Sequence, residues 1–345
     1  MQTKILKGIY KSLLSFLNRH LPVQIKTNSK YKKKHIIKPI LRAEIENTTI
    51  ESSTRRLNNI SSDDVFYHLN KMPLDQIIIC FNNGIECSFS KARKKYRLSG
   101  IVDIAIDIHE IPYYGKDDNA WIIGGKQKNG TNKFIKVISL CVVVKGIRYT
   151  VCVIPFHLFD IIVNLLEHLI QTTRKYITIN VVLLDRGFLS VDNINRLYDF
   201  ELQFITPIKK NDKVLGVMND CILKGVNRTQ YTMKSSNSET TFDLVVYETE
   251  DDVVGFATNI PGEPKCIGEM YRKRWGIETS YRMKNMFYGR TCSRKIKIRI
   301  LLILLSFMLY NFWVLANSML EYKEEHITAG DMCVLFVDFI ENAVP

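Results

Sequence analysis

Apolar positions along the chain change period twice. Ile5, Leu6, Ile9, Tyr10, Leu13, Leu14 and Leu17 recur at helical spacing, with Lys4, Lys7 and Lys11 between them. This pattern predicts an amphipathic N-terminal helix. Residues 26–38 (KTNSKYKKKHIIK) read as an exposed linker or arm. Residues 62–97 read as short helices, with Asp63 and Asp64 as candidate N-caps before Val65, Phe66 and Leu69. From residue 99 the pattern turns to strands. Runs at 101–108, 134–144 and 147–153 predict three antiparallel-type strands, the last two joined by a turn at Lys145-Gly146. A helix at 161–172, a strand at 177–184, a helix at 191–198 and a strand at 202–208 follow. This order predicts an α/β fold with a mixed sheet and helices on its faces. Residues 209–260 break the rhythm with polar stretches and short alternating runs, and read as a small all-β insertion. Helices are expected again at 267–287 and 298–317.

Charge sharpens the picture. The chain of 345 residues carries a net charge of +13. Eleven basic side chains and no acid fall in residues 1–42, among them Lys32, Lys33 and Lys34. A second basic cluster spans residues 88–97, including Arg93, Lys94 and Lys95. Charge concentrated in this way is a landing site for a polyanion. The eight cysteines form no C-x-x-C pair, so zinc spacing is absent and free thiols in a reducing compartment are expected. The apolar run Ile300 to Ala316 reaches the lower edge of a membrane span. Ser306, Tyr310 and Asn311 interrupt it, and a buried core helix is the better reading. The N-terminal helix has four readings: DNA binding, a membrane surface, a transit peptide, or docking on its own core.

Three acids stand where chemistry is expected. In the run at 101–108, Asp103, Ala105 and Asp107 share one strand face. A carboxylate in an apolar strand is costly unless it is paired or binds a cation. A second apolar strand ends in Asp185, followed by Gly187, and acids at strand C-termini face the ligand crevice of open sheets. The third acid is Glu278. On a continuous helix, Arg274 and Glu278 lie about 60° and 20° from Tyr271, so the three share a face. Carboxylates from three elements suit one or two magnesium ions, which activate a water and stabilise the leaving oxygen of a phosphodiester. His109, His157, His168, Trp275 and Trp313 read as packing or surface residues.

The strings IAIDIHEIPYYGK, VVLLDRGFLSVDNINRL and YRKRWGIETSYRMKN resemble the DDE transposases of prokaryotic insertion sequences. The likeness is to the branch whose third motif runs Tyr, two residues, Arg, three residues, Glu, six residues, Lys. Tyr271, Arg274 and Glu278 match that spacing, and the resemblance covers about residues 99–317. It implies a ribonuclease H-like core at 98–208 and 261–320, a β-rich insertion at 209–260, a basic helical DNA-binding region at 1–97 and a tail helix at 321–345. It implies Asp107, Asp185 and Glu278 as catalytic and metal-binding residues for two Mg2+ ions, with Mn2+ as a substitute. Asp103 is the alternative first ligand. It further implies nicking at the ends of a mobile element, then strand transfer by the freed 3′-hydroxyl, commonly through a DNA hairpin. The partners would be double-stranded DNA, both terminal repeats and target, and a second copy of the chain. The setting would be cytoplasmic and nucleoid-associated, without stable membrane association. Tyr271, Arg274, Arg282 and Lys284 would contact DNA, along with the two basic clusters. The final Lys departs from the pattern: the position six residues past Glu278 is Asn285, and Lys284 comes one earlier. On the helix wheel Lys284 lies about 140° from Tyr271 and Arg282 about 20°, so Arg282 is the candidate replacement. A DNA-binding protein of transposase descent, without catalysis, is the alternative reading, and a membrane-associated protein is a second rival.

Overall fold

The computed structural model describes residues 1–95, 100–116, 119–144, 147–248, 252–320 and 326–342. The expected turn at Lys145-Gly146, Arg97 of the second basic cluster and the segment 321–325 of the expected tail helix lie outside the described residues.

The chain begins with five helices: α1 (Gln2–His20), α2 (Lys33–Ile45), α3 (Ile50–Leu57), α4 (Ser62–Lys71) and α5 (Leu74–Lys95). The apolar face of α1 docks on the protein's own core, with Leu6, Ile9, Tyr10, Leu13 and Leu17 buried. The expected arm at 26–38 is shorter than its composition suggests. Residues 33–38 belong to α2, where Ile36 and Ile37 are buried. The cap of α4 is Ser61, whose hydroxyl accepts from Asp64 N; Asp63 and Asp64 lie in the first turn. The next helix, α5, is a long one of 22 residues.

The sheet is built from β1 (Ile101–Pro112), β2 (Ile123–Lys128), β3 (Thr131–Val144), β4 (Ile147–Phe156), β5 (Thr178–Leu184), β6 (Gln203–Pro207), β7 (Arg228–Lys234), β8 (Glu239–Glu248) and β9 (Val253–Thr258). Its order is β2-β3-β1-β5-β6-β9-β8-β7, with β4 also paired to β3. β1 is antiparallel to β3 and parallel to β5, and β5 is parallel to β6. This is an α/β mixed sheet flanked by helices, as the element order predicted, and it is consistent with the ribonuclease H-like core that the resemblance implied. α6 (Ile162–Arg174) leads from β4 into β5, and α7 (Val191–Asp199) joins the parallel pair β5 and β6.

Two elements were not legible. The strand β2 is polar and almost fully exposed, so it lacks an alternating signature. Inside the segment expected to be all β lies α8 (Asp212–Leu223). Asn211 caps it, and Val214, Met218 and Cys221 form its buried stripe. The strands after it join the main sheet, because β9 pairs with β6.

The chain continues through α9 (Pro264–Arg272), α10 (Trp275–Lys284), α11 (Ile296–Ser318) and α12 (Ala329–Asn342). Among the described residues α11 is the one helix long and apolar enough to cross a bilayer, and 94% of its apolar window is buried within the protein. Asn311, the polar interruption, is satisfied there: its side chain donates to Thr150 O and accepts from Thr150 N. Trp313 packs on this core and donates to Ile327 O. Tyr10 of α1 meets Phe336 and Phe339 of α12. The N-terminal helices, α11 and the sheet thus share one continuous core. All eight cysteines are free.

Candidate active site

Strand pairing brings the first two acids together. In the parallel register Ile106 faces Leu184, so the next residue on each chain is an aspartate, Asp107 and Asp185. Adjacent strands lie about 4.8 Å apart. Asp185 ends β5 and caps the turn Arg186–Phe188, accepting weakly from Gly187 N at 3.4 Å. Its carbonyl accepts from Thr206 Oγ1 of β6.

The third acid arrives on α10. All three carboxylates meet one guanidinium. Arg274 stands 3.5 Å from Asp107 Oδ2, 3.5 Å from Asp185 Oδ1 and 2.9 Å from Glu278 Oε1. Asp107 is largely buried, whereas Asp185 and Glu278 reach solvent. Arg274 itself is 7% exposed, and its Nε has no hydrogen-bond partner. Its guanidinium lies 5.6 Å from the Tyr271 ring centre, and Tyr271 in turn packs on Phe256 of β9. Burial pushes the Asp107 carboxyl up to about 7; Arg274 opposes this, and Asp185 and Glu278 add to it.

The helix expected over 267–287 is pinched at this point. Between α9 and α10 the bonds run from Arg274 N to Tyr271 O, Gly276 N to Lys273 O and Ile277 N to Arg274 O. These i to i+3 bonds tighten one turn without breaking its direction. A Cβ on Gly276 would stand 1.4 Å from Arg148 Nε, so any other residue there forces the Arg148 side chain to move. Trp275, expected to pack, is instead 66% exposed, since the tightened turn swings it outward.

A shell of polar contacts ties these elements together. Asp103, the alternative ligand, is engaged by Lys273 Nζ at 2.7 Å and by Asn180 Nδ2 at 2.7 Å. Tyr281, one turn past Glu278, bonds Ser139 Oγ at 2.7 Å and donates to Asp107 O at 3.3 Å. Asp107 and Ser139 face each other across β1 and β3, so this hydroxyl bridges both strands to the acid-bearing helix. His109 stacks on the Tyr281 ring, and burial holds its pKa well below the ordinary range. Sequence reasoning missed Tyr281 and Ser139; the available signal was a tyrosine three residues after Glu278 on one helix face.

The expected DNA contacts divide. Arg282 is exposed on α10. Lys284 is fully buried, 3.4 Å from His109 Nε2 and against the Tyr288 and Phe307 rings. That interior position removes it from any surface where a phosphate could meet it. Burial lowers its pKa to about 7, opposed by Glu44. Glu44 is itself fully buried, accepts from Gly289 N, and leaves Oε1 without a partner. In the first basic cluster Lys32 is exposed, Lys34 is half-buried, and Lys33 donates to Leu21 O. In the second, Arg93 donates to Tyr176 O and Lys94 is exposed; the Lys95 side chain lies outside the described residues.

Among the described residues no group of three or more His, Cys, Asp or Glu is spaced to hold a metal ion. The donor set nevertheless fits a hard divalent cation, being carboxylate oxygens from three elements. A guanidinium already stands among them as a cation, and three carboxylates against one arginine leave a deficit of positive charge.

A ribonuclease H-like sheet with one acid within β1, a second just past the end of the adjacent parallel strand β5, and a third on a flanking helix defines the class. Residues 98–312 match the family described as the transposase DDE domain. That span is more than half of the chain, and the chain belongs to this family. No curated protein matches it. Transposase activity, DNA binding and the use of divalent metal ions go with the family.

Proposed function

We propose that this protein cuts the ends of a mobile DNA element by hydrolysis and joins them to new DNA by transesterification, as a member of the Tyr-Arg-Glu-Lys branch from prokaryotic insertion sequences. Water attacks phosphorus, the P–O3′ bond breaks and a 3′-hydroxyl is released. That hydroxyl then attacks a second phosphodiester, in a route that includes a DNA hairpin. Asp107, Asp185 and Glu278 would hold two Mg2+ ions, or Mn2+ in their place. Bound there, such ions lower the pKa of an attacking water and neutralise charge on the leaving oxygen. Arg274 and Tyr271, 7% and 9% exposed, are buried against the acids and Phe256 and shape the site from behind, and Arg282, exposed on the helix that carries Glu278, meets the strand in place of the displaced Lys. The basic N-terminal helices and Lys94 grip phosphates, and two copies act together on paired ends.

The observation that carries this reading is the meeting of the three carboxylates on the Arg274 guanidinium. The test uses the purified full chain and duplex DNA taken from the borders of its own reading frame. Mg2+-dependent nicks that leave polymerase-extendable 3′ ends support the reading; intact DNA under all divalent conditions refutes it. A second reading, a DNA-binding protein of transposase descent without catalysis, is favoured by two features. Arg274 occupies the space between the acids, and Lys284 is sealed in the interior.

A further inference from the structure

Beyond the acid cluster, the structure holds a cavity of about 690 Å³ where the end of β1 meets the segment between α10 and α11. Its walls include Tyr114, Asn285, Arg290, Arg294 and Arg299, and no acid. The size suits a small polar ligand or one unit of a polymer. Arg299 forms a fixed floor: it donates to Ser293 O and Thr291 O and lies over the Tyr113 ring. Arg290 is steadied by Asn47 Oδ1, and Arg294 is exposed. The Tyr114 ring is 68% exposed at the mouth, held by its hydroxyl to Asn129 O.

The charge here is unfavourable for the protein alone. A helix N-terminus carries partial positive charge and prefers acids. The 23-residue helix α11 begins beside this cavity with no acid in its first turn. Instead Arg294, Lys295, Lys297 and Arg299 surround that end. Among the described residues no carboxylate pairs with Arg290, Arg294, Lys295 or Arg299. Four cations and a helix N-terminus without a counter-ion call for an external polyanion.

We propose that this cavity is a second DNA subsite, in which Arg290 and Arg294 grip backbone phosphates and the Tyr114 ring meets an adjacent base. The proposal rests on the reading of Asp107 as part of the cutting centre. Pro112, in the cavity wall, is five residues from Asp107 along β1. At about 3.4 Å per residue that is about 17 Å, or about five base pairs along a duplex. The site therefore holds the strand beside the cut and fixes its direction across the acids.

The test is a salt titration of the full chain binding a fluorescein-labelled duplex, in EDTA so that no cutting occurs. Arg290→Ala with Arg294→Ala should reduce the slope of log affinity against log salt by about 2, since each lost phosphate contact removes about 0.9. Lys234→Ala, five strands away across the sheet, should leave the slope unchanged. If the double variant does not fold, exposed Arg294→Gln alone should reduce the slope by about 1. An unchanged slope in a folded variant overturns the proposal, as does an equal drop in the Lys234 control. Asp185→Asn separates the two readings: it should keep the full slope while abolishing nicking.

Discussion

Removing the Tyr281 hydroxyl isolates one link between the acid-bearing elements. Tyr281→Phe keeps the ring, its stack on His109 and its edge contact with Phe307. It deletes one short bond to Ser139 Oγ and one longer bond to Asp107 O. Ser139 is fully buried, so its hydroxyl is left without that partner. A buried neutral hydrogen bond contributes about 1 kcal/mol, and stranding its partner costs about 1–3 kcal/mol more. The longer bond adds little. The expected loss is therefore about 2–4 kcal/mol. For a chain of 345 residues the unfolding entropy is about 0.7 kcal/mol per kelvin, so the thermal midpoint should fall by roughly 3–6 °C. Because the same hydroxyl holds β1 at Asp107 against α10, the nicking rate below the melting range should fall about tenfold or more, as small misplacements of catalytic groups do. Calorimetry and single-turnover nicking at matched temperature measure both. A variant with the parent's midpoint and the parent's rate would refute the account of this bridge. A lowered midpoint with an unchanged rate would leave Tyr281 a purely structural residue.

Three further outcomes are expected. Arg282→Ala should weaken strand transfer more than Lys284→Ala does per folded molecule, because Arg282 is exposed and Lys284 is sealed; equal effects in a strand-transfer assay would contradict this. Lys284 has a folded pKa of about 7 against an ordinary value of 10.5, so between those values the unfolded chain binds a proton that the native chain has released. Stability should therefore rise with pH across that window through this group, and thermal melts of Lys284→Met should lack that rise. Gly276→Ala should destabilise by about 1–3 kcal/mol through overpacking against Arg148, measured by chemical denaturation; a neutral result would show that Arg148 moves aside freely.

The acid positions were legible because each rests on a local rule. Alternation put Asp103 and Asp107 on one face of β1, and an apolar run ending at Asp185 marked the end of β5. Their convergence follows from the parallel register between those strands, which no local pattern encodes. The helix wheel placed Arg274 beside Glu278, as observed, yet it assumed an unbroken helix. The pinch at Lys273 and Arg274 arises where Arg148 of β4 lies across Gly276, a contact between residues far apart in sequence. The same limit hid Glu44. It follows an apolar run in α2, and only tertiary packing buries it beneath Gly289. Composition alone suggested an exposed arm at 26–38, because the lysines of α2 mask the buried Ile36 and Ile37. The exposure of Trp275 ran against its hydrophobicity for a related reason: its direction is set by the tightened turn.

The account stands on cation-dependent cutting by the three converging acids. The most direct measurement compares the full chain with Asp185→Asn on duplex DNA carrying the element's own ends, with Mg2+ and with EDTA. The parent should nick only with Mg2+, while the variant binds the same DNA, melts normally and leaves it intact. Cutting by Asp185→Asn at the parent's rate, or cutting by the parent in EDTA, would contradict the assignment.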